Sequence, residues 1–122
     1  MERLFFVLGS ISAGAAVALG AFAAHGLRGR VTPELLTTFE VGARYHMYHA
    51  LALLVVGWAA TRWPGGTTTL AGWLFLAGTV LFSGSLYLLA LTGQRWLGAV
   101  TPLGGAAFIA GWLALAWSAF SR

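Results

Sequence analysis

Residues 4–24 read LFFVLGSISAGAAVALGAFAA, a run of 21 residues without a formal charge. At about 1.5 Å of rise per residue, a helix of this length covers about 30 Å, the thickness of a bilayer's hydrocarbon core. Two further uncharged runs, 22 residues at 70–91 and 19 residues at 102–120, are also long enough. The sequence therefore predicts three apolar transmembrane helices.

A fourth, more polar helix is predicted between the first two of these runs. Thr32-Pro33-Glu34 is typical of a helix start, because threonine caps, proline suits the first position and a carboxylate favours the positive end of the helix dipole. The apolar residues 47–60 are too few to cross a bilayer alone, so we expect a span over about 41–61. This second helix is predicted to be long, with an amphipathic, polar N-terminal part.

The fold class that follows is an all-α membrane protein, a compact bundle of four transmembrane helices in one domain of residues 1–122. Short connections containing Pro64-Gly65-Gly66 and Gly93 predict that neighbouring helices run antiparallel. The composition agrees, since 59% of the residues are hydrophobic and 8% are charged. An average soluble domain has about a quarter of charged residues.

The positive charge of the chain comes entirely from isolated arginines. They are Arg3, Arg28, Arg30, Arg44, Arg62, Arg95 and Arg122. Because they never form a run, we expect anchors at the level of the lipid headgroups and no nucleic-acid partner. The chain has no cysteine, which excludes thiol catalysis, disulfides and thiolate metal sites.

Polar side chains gather in one half of the predicted membrane region, where all four helices contribute. This candidate polar pocket consists of His25, Tyr45, His49, Ser83, Ser85, Tyr87 and Thr101. Polar groups at membrane depth are costly unless they face each other or a water-filled cavity, so we expect them to converge. Whether they surround a cavity or close on one another is left open by the sequence.

Two other sets of residues have a predicted structural role. Glu40 and Arg44 lie one turn apart and are expected to form an ion pair at the membrane interface. Small residues that allow close helix packing recur at Gly9, Ala13, Ala16, Gly20, Gly104 and Gly105.

The three histidines suggest metal or haem chemistry only weakly. His46 and His49 are spaced to share a metal, and His25 with His49 is the only sensible axial pair for haem. Histidines that are hydrogen-bonded inside the bundle explain the same pattern, so no metal site and no cofactor are predicted. No catalytic group is predicted, because no acidic residue lies within a span to orient a histidine.

Four motifs occur together in an order that resembles a known family. They are Gly20-Ala21-Phe22-Ala23-Ala24-His25-Gly26, Tyr45-His46-Met47-Tyr48-His49-Ala50, Leu81-Phe82-Ser83-Gly84-Ser85-Leu86-Tyr87 and Thr101-Pro102-Leu103-Gly104-Gly105. The chain resembles the YgdD-like family of small four-span membrane proteins, domain of unknown function 423, which is distantly similar to transmembrane protein 256. The resemblance implies the bacterial inner membrane and cytoplasmic termini, with no assigned activity.

Three functions remain open at this point. The first is a non-enzymatic module that binds a lipid or packs against a larger membrane complex, with the bilayer and a second copy or other subunit as partners. The second is permeation of protons or a small solute through a vestibule lined by histidine and tyrosine. The third is a haem- or metal-dependent membrane oxidoreductase.

Overall fold

The computed structural model describes residues 1–121, which form four long helices and no strand. The helices are α1 (Glu2–Leu27), α2 (Pro33–Arg62), α3 (Gly66–Thr92) and α4 (Thr101–Phe120), with a short 3-10 helix (Arg95–Ala99) between α3 and α4. One turn of α1 (Ala23–Leu27) and one turn of α3 (Thr79–Ser83) are π-helical. Arg122, predicted as a headgroup anchor, lies outside the described residues.

The helix ends follow from local sequence chemistry. The Thr32 hydroxyl accepts a hydrogen bond from the backbone N–H of Leu35 at 3.2 Å, which confirms the predicted start of α2. Gly93 ends α3 with φ at 73°, as expected of a glycine at this position. α4 begins at Thr101 with Val100 as its cap residue, and the Thr101 hydroxyl bonds to the Ser85 side chain of α3.

Glycines bring the helices into close, antiparallel contact. A Cβ atom on Gly9 would lie 2.9 Å from the carbonyl oxygen of Ala50, and one on Gly57 would lie 3.1 Å from that of Glu2. The order of the contacts is reversed between α1 and α2, so these helices run antiparallel. The same reversal pairs Gly104 with Phe82 on α3, and further along α4 pairs Gly111 with Phe75.

Two apolar clusters form the core at opposite ends of the bundle. The larger consists of Phe5, Ala52, Leu53, Val56, Ala71, Phe75 and Phe108. The smaller consists of Ala23, Leu27, Phe39 and Ala90. The buried histidines of α2 lie between the two clusters along the chain, and most of the polar contacts between helices occur there.

Three of the four helices are long and apolar enough to cross a membrane, namely Glu2–Leu27, Gly66–Thr92 and Arg95–Phe120, the last including the 3-10 helix. The structure thus confirms the all-helical fold and three apolar helices. Among residues 1–121, α2 does not reach that apolar composition, because Glu40, Arg44 and two histidines fall within it. Its crossing of the membrane stays a prediction.

Candidate functional site

His46, in the middle of α2, connects three helices. Its Nδ1 lies 2.8 Å from the Tyr87 hydroxyl of α3, and its Nε2 lies 2.9 Å from the Ser12 hydroxyl of α1. In a neutral imidazole one ring nitrogen donates and the other accepts, and each hydroxyl can play either part. A neutral ring therefore satisfies both of its nitrogens at this buried position.

His49, one turn further along α2, connects it to α4. The indole N–H of Trp112 donates to His49 Nε2 at 3.1 Å. Because an indole nitrogen only donates, Nδ1 must carry the ring proton, which it donates to the Tyr45 backbone carbonyl at 2.8 Å. The ring stacks on Phe108 with centroids 3.5 Å apart and planes 7° from parallel. His49 is thus held as one neutral tautomer between aromatic rings.

Ser85 and Thr101 form the third polar link, between α3 and α4. Their hydroxyl oxygens lie 2.5 Å apart, and the Ser85 hydroxyl also lies 2.9 Å from the Phe82 carbonyl. Ser83 is close along the chain but is not part of this link. Its hydroxyl is fully buried and has no hydrogen-bond partner among the described residues.

The residues of the predicted polar pocket therefore fall into separate links instead of one chamber. Tyr45 lies with His49, while Tyr87 lies with His46, and Ser85 pairs with Thr101 as described. The remaining residue, His25, is placed in the π-helical turn of α1, where it is exposed and its Nδ1 bonds to the Ala21 carbonyl of the same helix at 3.0 Å. No contact brings His25 to the other two histidines within residues 1–121.

Glu40 and Arg44 do not form the predicted ion pair in the described part of the chain. Arg44 is exposed and Glu40 is half-buried. Interfacial charges are well solvated, and an exposed ion pair contributes only about 0–1 kcal/mol, so little favours holding these side chains together.

The predicted packing residues differ in how closely they approach a neighbour. Ala16 is buried and Ala13 is half-buried on α1. Gly9 and Gly104 lie against the backbone of another helix, as described above. A Cβ on Gly20 would meet no atom within 4 Å, and one on Gly105 would only reach the Phe82 ring at 3.9 Å.

Sequence reasoning missed three participants of the polar links. Ser12 and Trp112 lie outside the predicted polar pocket, and the spacing of His46 from His49 suggests only a metal ligand. The sequence did contain a signal for Ser12, since a serine in the middle of an uncharged 21-residue run needs a partner in lipid. No pattern in the sequence identifies the partner of the Trp112 indole.

The polar links can do little further chemistry, because their histidines have no unpaired ring nitrogen. All four ring nitrogens of His46 and His49 already have hydrogen-bond partners. In the described residues, no three histidine or acidic side chains lie close enough to hold a metal ion. His25 lies apart from His49, so the axial pair considered for haem is not formed. The links join helices and leave no nitrogen free for a ligand.

A groove of about 400 Å³ lies on the outside of the bundle, between the start of α1 and the end of α2. It is lined by Phe6, Val7, Leu54, Gly57 and Trp58, with Glu2, Arg3 and Thr61 at its end. Its lining is almost entirely apolar, and the phenylalanine and tryptophan are more than half exposed. Sequence reasoning did not predict this groove, because it depends on the close approach of α1 to Gly57.

Comparison with known proteins identifies the family. A family model described as "Protein of unknown function (DUF423)" matches residues 19–105. The chain belongs to the DUF423 family. The UPF0382 membrane protein YwdK of Bacillus subtilis is 53% identical over 91 residues, which cover 74% of either chain. The UPF0382 membrane protein SH2409 of Staphylococcus haemolyticus is 47% identical over 122 residues, covering 97% of this chain and 96% of its own.

The resemblance proposed from the sequence motifs is thereby confirmed. No solved structure matches the chain significantly. The DUF423 match contains both buried histidines and ends before Trp112. Since the relatives are named membrane proteins and three helices are apolar enough to span a bilayer, this DUF423 protein is an integral membrane protein.

Proposed function

We propose that this DUF423 protein is a non-enzymatic membrane module of four spans that holds a phospholipid in the groove between α1 and α2. The observation that carries this proposal is the groove itself, whose apolar side chains lie deeper than a charged and polar end. The packing of α2 between apolar helices supports the four spans, and the hydrogen bonds made by every ring nitrogen of His46 and His49 support a non-enzymatic role.

The crossing of the membrane by α2 is supported by its packing against two apolar helices. Near its end, Gly57 lies against Glu2 and Phe6 of α1, and near its start Gly42 lies against Tyr87 of α3. A helix of 30 residues is about 45 Å long, more than the hydrocarbon core requires. Because α2 runs beside its neighbours over most of their length, it shares their depth in the membrane.

The hydrogen bonds of the polar links lower the energetic cost of placing α2 in the membrane, and they give the histidines a structural role. Polar groups that face lipid without partners are costly. His46 and His49 instead direct their ring nitrogens at other helices or at backbone, as described above. A proton or solute path would need polar groups open to water, whereas these are bonded to one another. This arrangement favours a module over a channel or an enzyme.

The groove has a polar end and an apolar length, as a phospholipid has a polar headgroup and apolar chains. Arg3 and Thr61 lie at the helix ends, where headgroups are expected, and Arg3 is suited to a phosphate. Phe6 and Leu54 lie about one to two turns deeper, at the level of acyl chains. Trp58 is 54% exposed, and tryptophan favours the membrane interface. Lipid tails are as apolar as leucine, so retention depends on shape and on the headgroup.

We place the module in the bacterial inner membrane with both termini in the cytoplasm. The inner membrane rests on the bacterial relatives, which are named membrane proteins. The even number of spans requires the two termini to lie on the same side, and the family resemblance gives that side as the cytoplasm. Four crossings put the N-terminus, the connection from α2 to α3 and the C-terminus on one side.

The proposal is tested by native mass spectrometry of the full chain purified in a mild detergent. We expect a co-purifying phospholipid, and we expect Trp58→Ala to lower its affinity by about tenfold, which corresponds to about 1.4 kcal/mol. Trp117→Ala is the matched control, because this tryptophan is similarly exposed but does not line the groove. A protein that retains and rebinds no phospholipid contradicts the proposal, as does an equal loss in both variants.

A further inference from the structure

A second apolar groove, of about 310 Å³, lies between α2 and α4 at the same end of the bundle. Val55, Trp63, Leu115 and Ala116 are among the residues that line it. Its lining is also almost entirely apolar. Trp58 lines both this groove and the groove between α1 and α2.

Trp58 therefore forms a ridge with an apolar groove on each side. Its ring packs edge-on against Trp63, with centroids 5.5 Å apart and planes at 88°. This contact fixes the ridge to the turn at which α2 ends. Both grooves begin near the end of α2 and extend toward the bundle centre, with Leu54 and Val55 in adjacent positions. Two apolar grooves that share Trp58 thus start at the same end of α2.

We infer that the lipid site takes a two-chain phospholipid that straddles Trp58, with one acyl chain in each groove. This inference rests on the proposed function and adds the class of lipid. A single chain would leave one of the two grooves to bulk lipid, whereas two chains joined at one headgroup match two grooves that share one wall.

The charges at the end of the larger groove indicate the headgroup. Arg3 offers donors to a phosphate, and Glu2 lines the same groove. One cation and one anion give no net charge, which suits a zwitterionic headgroup with a phosphate and an ammonium group. Dioleoyl phosphatidylethanolamine is therefore the probe of choice, and its one-chain lyso form is the comparison.

Two variants fill one groove each without touching the other. Val7→Trp places an indole in the groove between α1 and α2, and Ala116→Trp places one in the groove between α2 and α4. Both positions are exposed, so the larger side chain can be accommodated outside the core. Val17→Trp on α1 and Ala106→Trp on α4 are the matched controls, since both are exposed and line neither groove.

The experiment is a titration of delipidated full-length protein with each lipid, followed by native mass spectrometry. We expect the two-chain lipid to bind about tenfold more tightly than the one-chain lipid to wild type, and each groove-filling variant to lose about tenfold in affinity for it. The controls should bind as wild type does. Because the comparison of the two lipids on wild type needs no substitution, a variant that misfolds does not remove the test.

Equal affinity of wild type for the two lipids overturns the inference but leaves the proposed function standing. The same holds if Val7→Trp weakens the two-chain lipid and Ala116→Trp does not, because one groove then suffices. Failure of wild type to bind either lipid contradicts the proposed function and this inference together.

Discussion

Replacing Gly104 by alanine is expected to force α3 and α4 apart. A Cβ atom at this position would overlap the backbone nitrogen of Phe82 and lie 2.7 Å from its Cα. Carbon atoms pack at about 3.5–4.0 Å, so the helices must separate by about 1 Å. The obstructing atoms are backbone atoms in a π-helical turn and cannot rotate away.

The size of the effect follows from two opposing terms. Overpacking costs about 1–3 kcal/mol, and the upper end applies where backbone is obstructed. Alanine recovers up to about 1 kcal/mol through its higher helix propensity. We therefore expect Gly104→Ala to lower the free energy of unfolding by about 2 kcal/mol.

Gly105→Ala is the matched control on the next residue of α4. Its Cβ would meet only the Phe82 ring at 3.9 Å, which is ordinary van der Waals contact. We expect no loss, and a gain of up to about 1 kcal/mol from helix propensity. The assay is reversible unfolding in lipid–detergent bicelles, followed by far-ultraviolet circular dichroism. Equal stability of Gly104→Ala and wild type, or equal loss in the two variants, would refute the close approach of α3 to α4.

Three further effects are expected in the same assay. Gly9→Ala should destabilise the protein by about 1–2 kcal/mol, because its Cβ would press on the α2 backbone. Gly20→Ala is the control and should not destabilise it, since a Cβ there meets no atom within 4 Å. Equal losses in the two variants would count against the α1–α2 contact. A double-mutant cycle of His46→Phe and Tyr87→Phe should give a coupling energy of about 0.6 kcal/mol, and about 1.7 kcal/mol is the upper end for hydrogen bonds between membrane helices. A coupling energy of zero would show that the two side chains do not bond. Trp112→Phe keeps an aromatic ring but removes the indole donor, so it should cost about 0.6 kcal/mol, and a stability gain would contradict that hydrogen bond.

Length and local chemistry made the helices predictable from the sequence. An uncharged run that reaches the thickness of a bilayer has few other stable forms, because every backbone polar group must be satisfied within the helix. The Thr32 cap and the Gly93 end follow from interactions within a few residues. The membrane crossing of α2 does not follow from length alone, because its histidines give it a composition between that of a soluble helix and that of a span.

The partners of the polar side chains could not be derived in the same way. His46 finds Ser12 and His49 finds Trp112, contacts that join residues 34 and 63 positions apart. Such pairings depend on how each helix is rotated about its axis. The close contacts made by glycines could not be predicted for the same reason. Gly104 and Gly105 are neighbours in the sequence, but only Gly104 contacts the backbone of another helix. Periodicity identifies a packing face more readily than it identifies the residue at the contact.

In the proposed topology α2 crosses the membrane, and single-cysteine labelling of its two ends tests this crossing most directly. The chain contains no natural cysteine, so Arg30→Cys and Arg62→Cys can each be introduced alone. Both positions are exposed and lie on either side of the span proposed for α2. With a membrane-impermeant maleimide on intact and permeabilised cells, the four-span account predicts that Arg30→Cys is labelled from outside and Arg62→Cys only after permeabilisation. Labelling of both positions from the same side would contradict it.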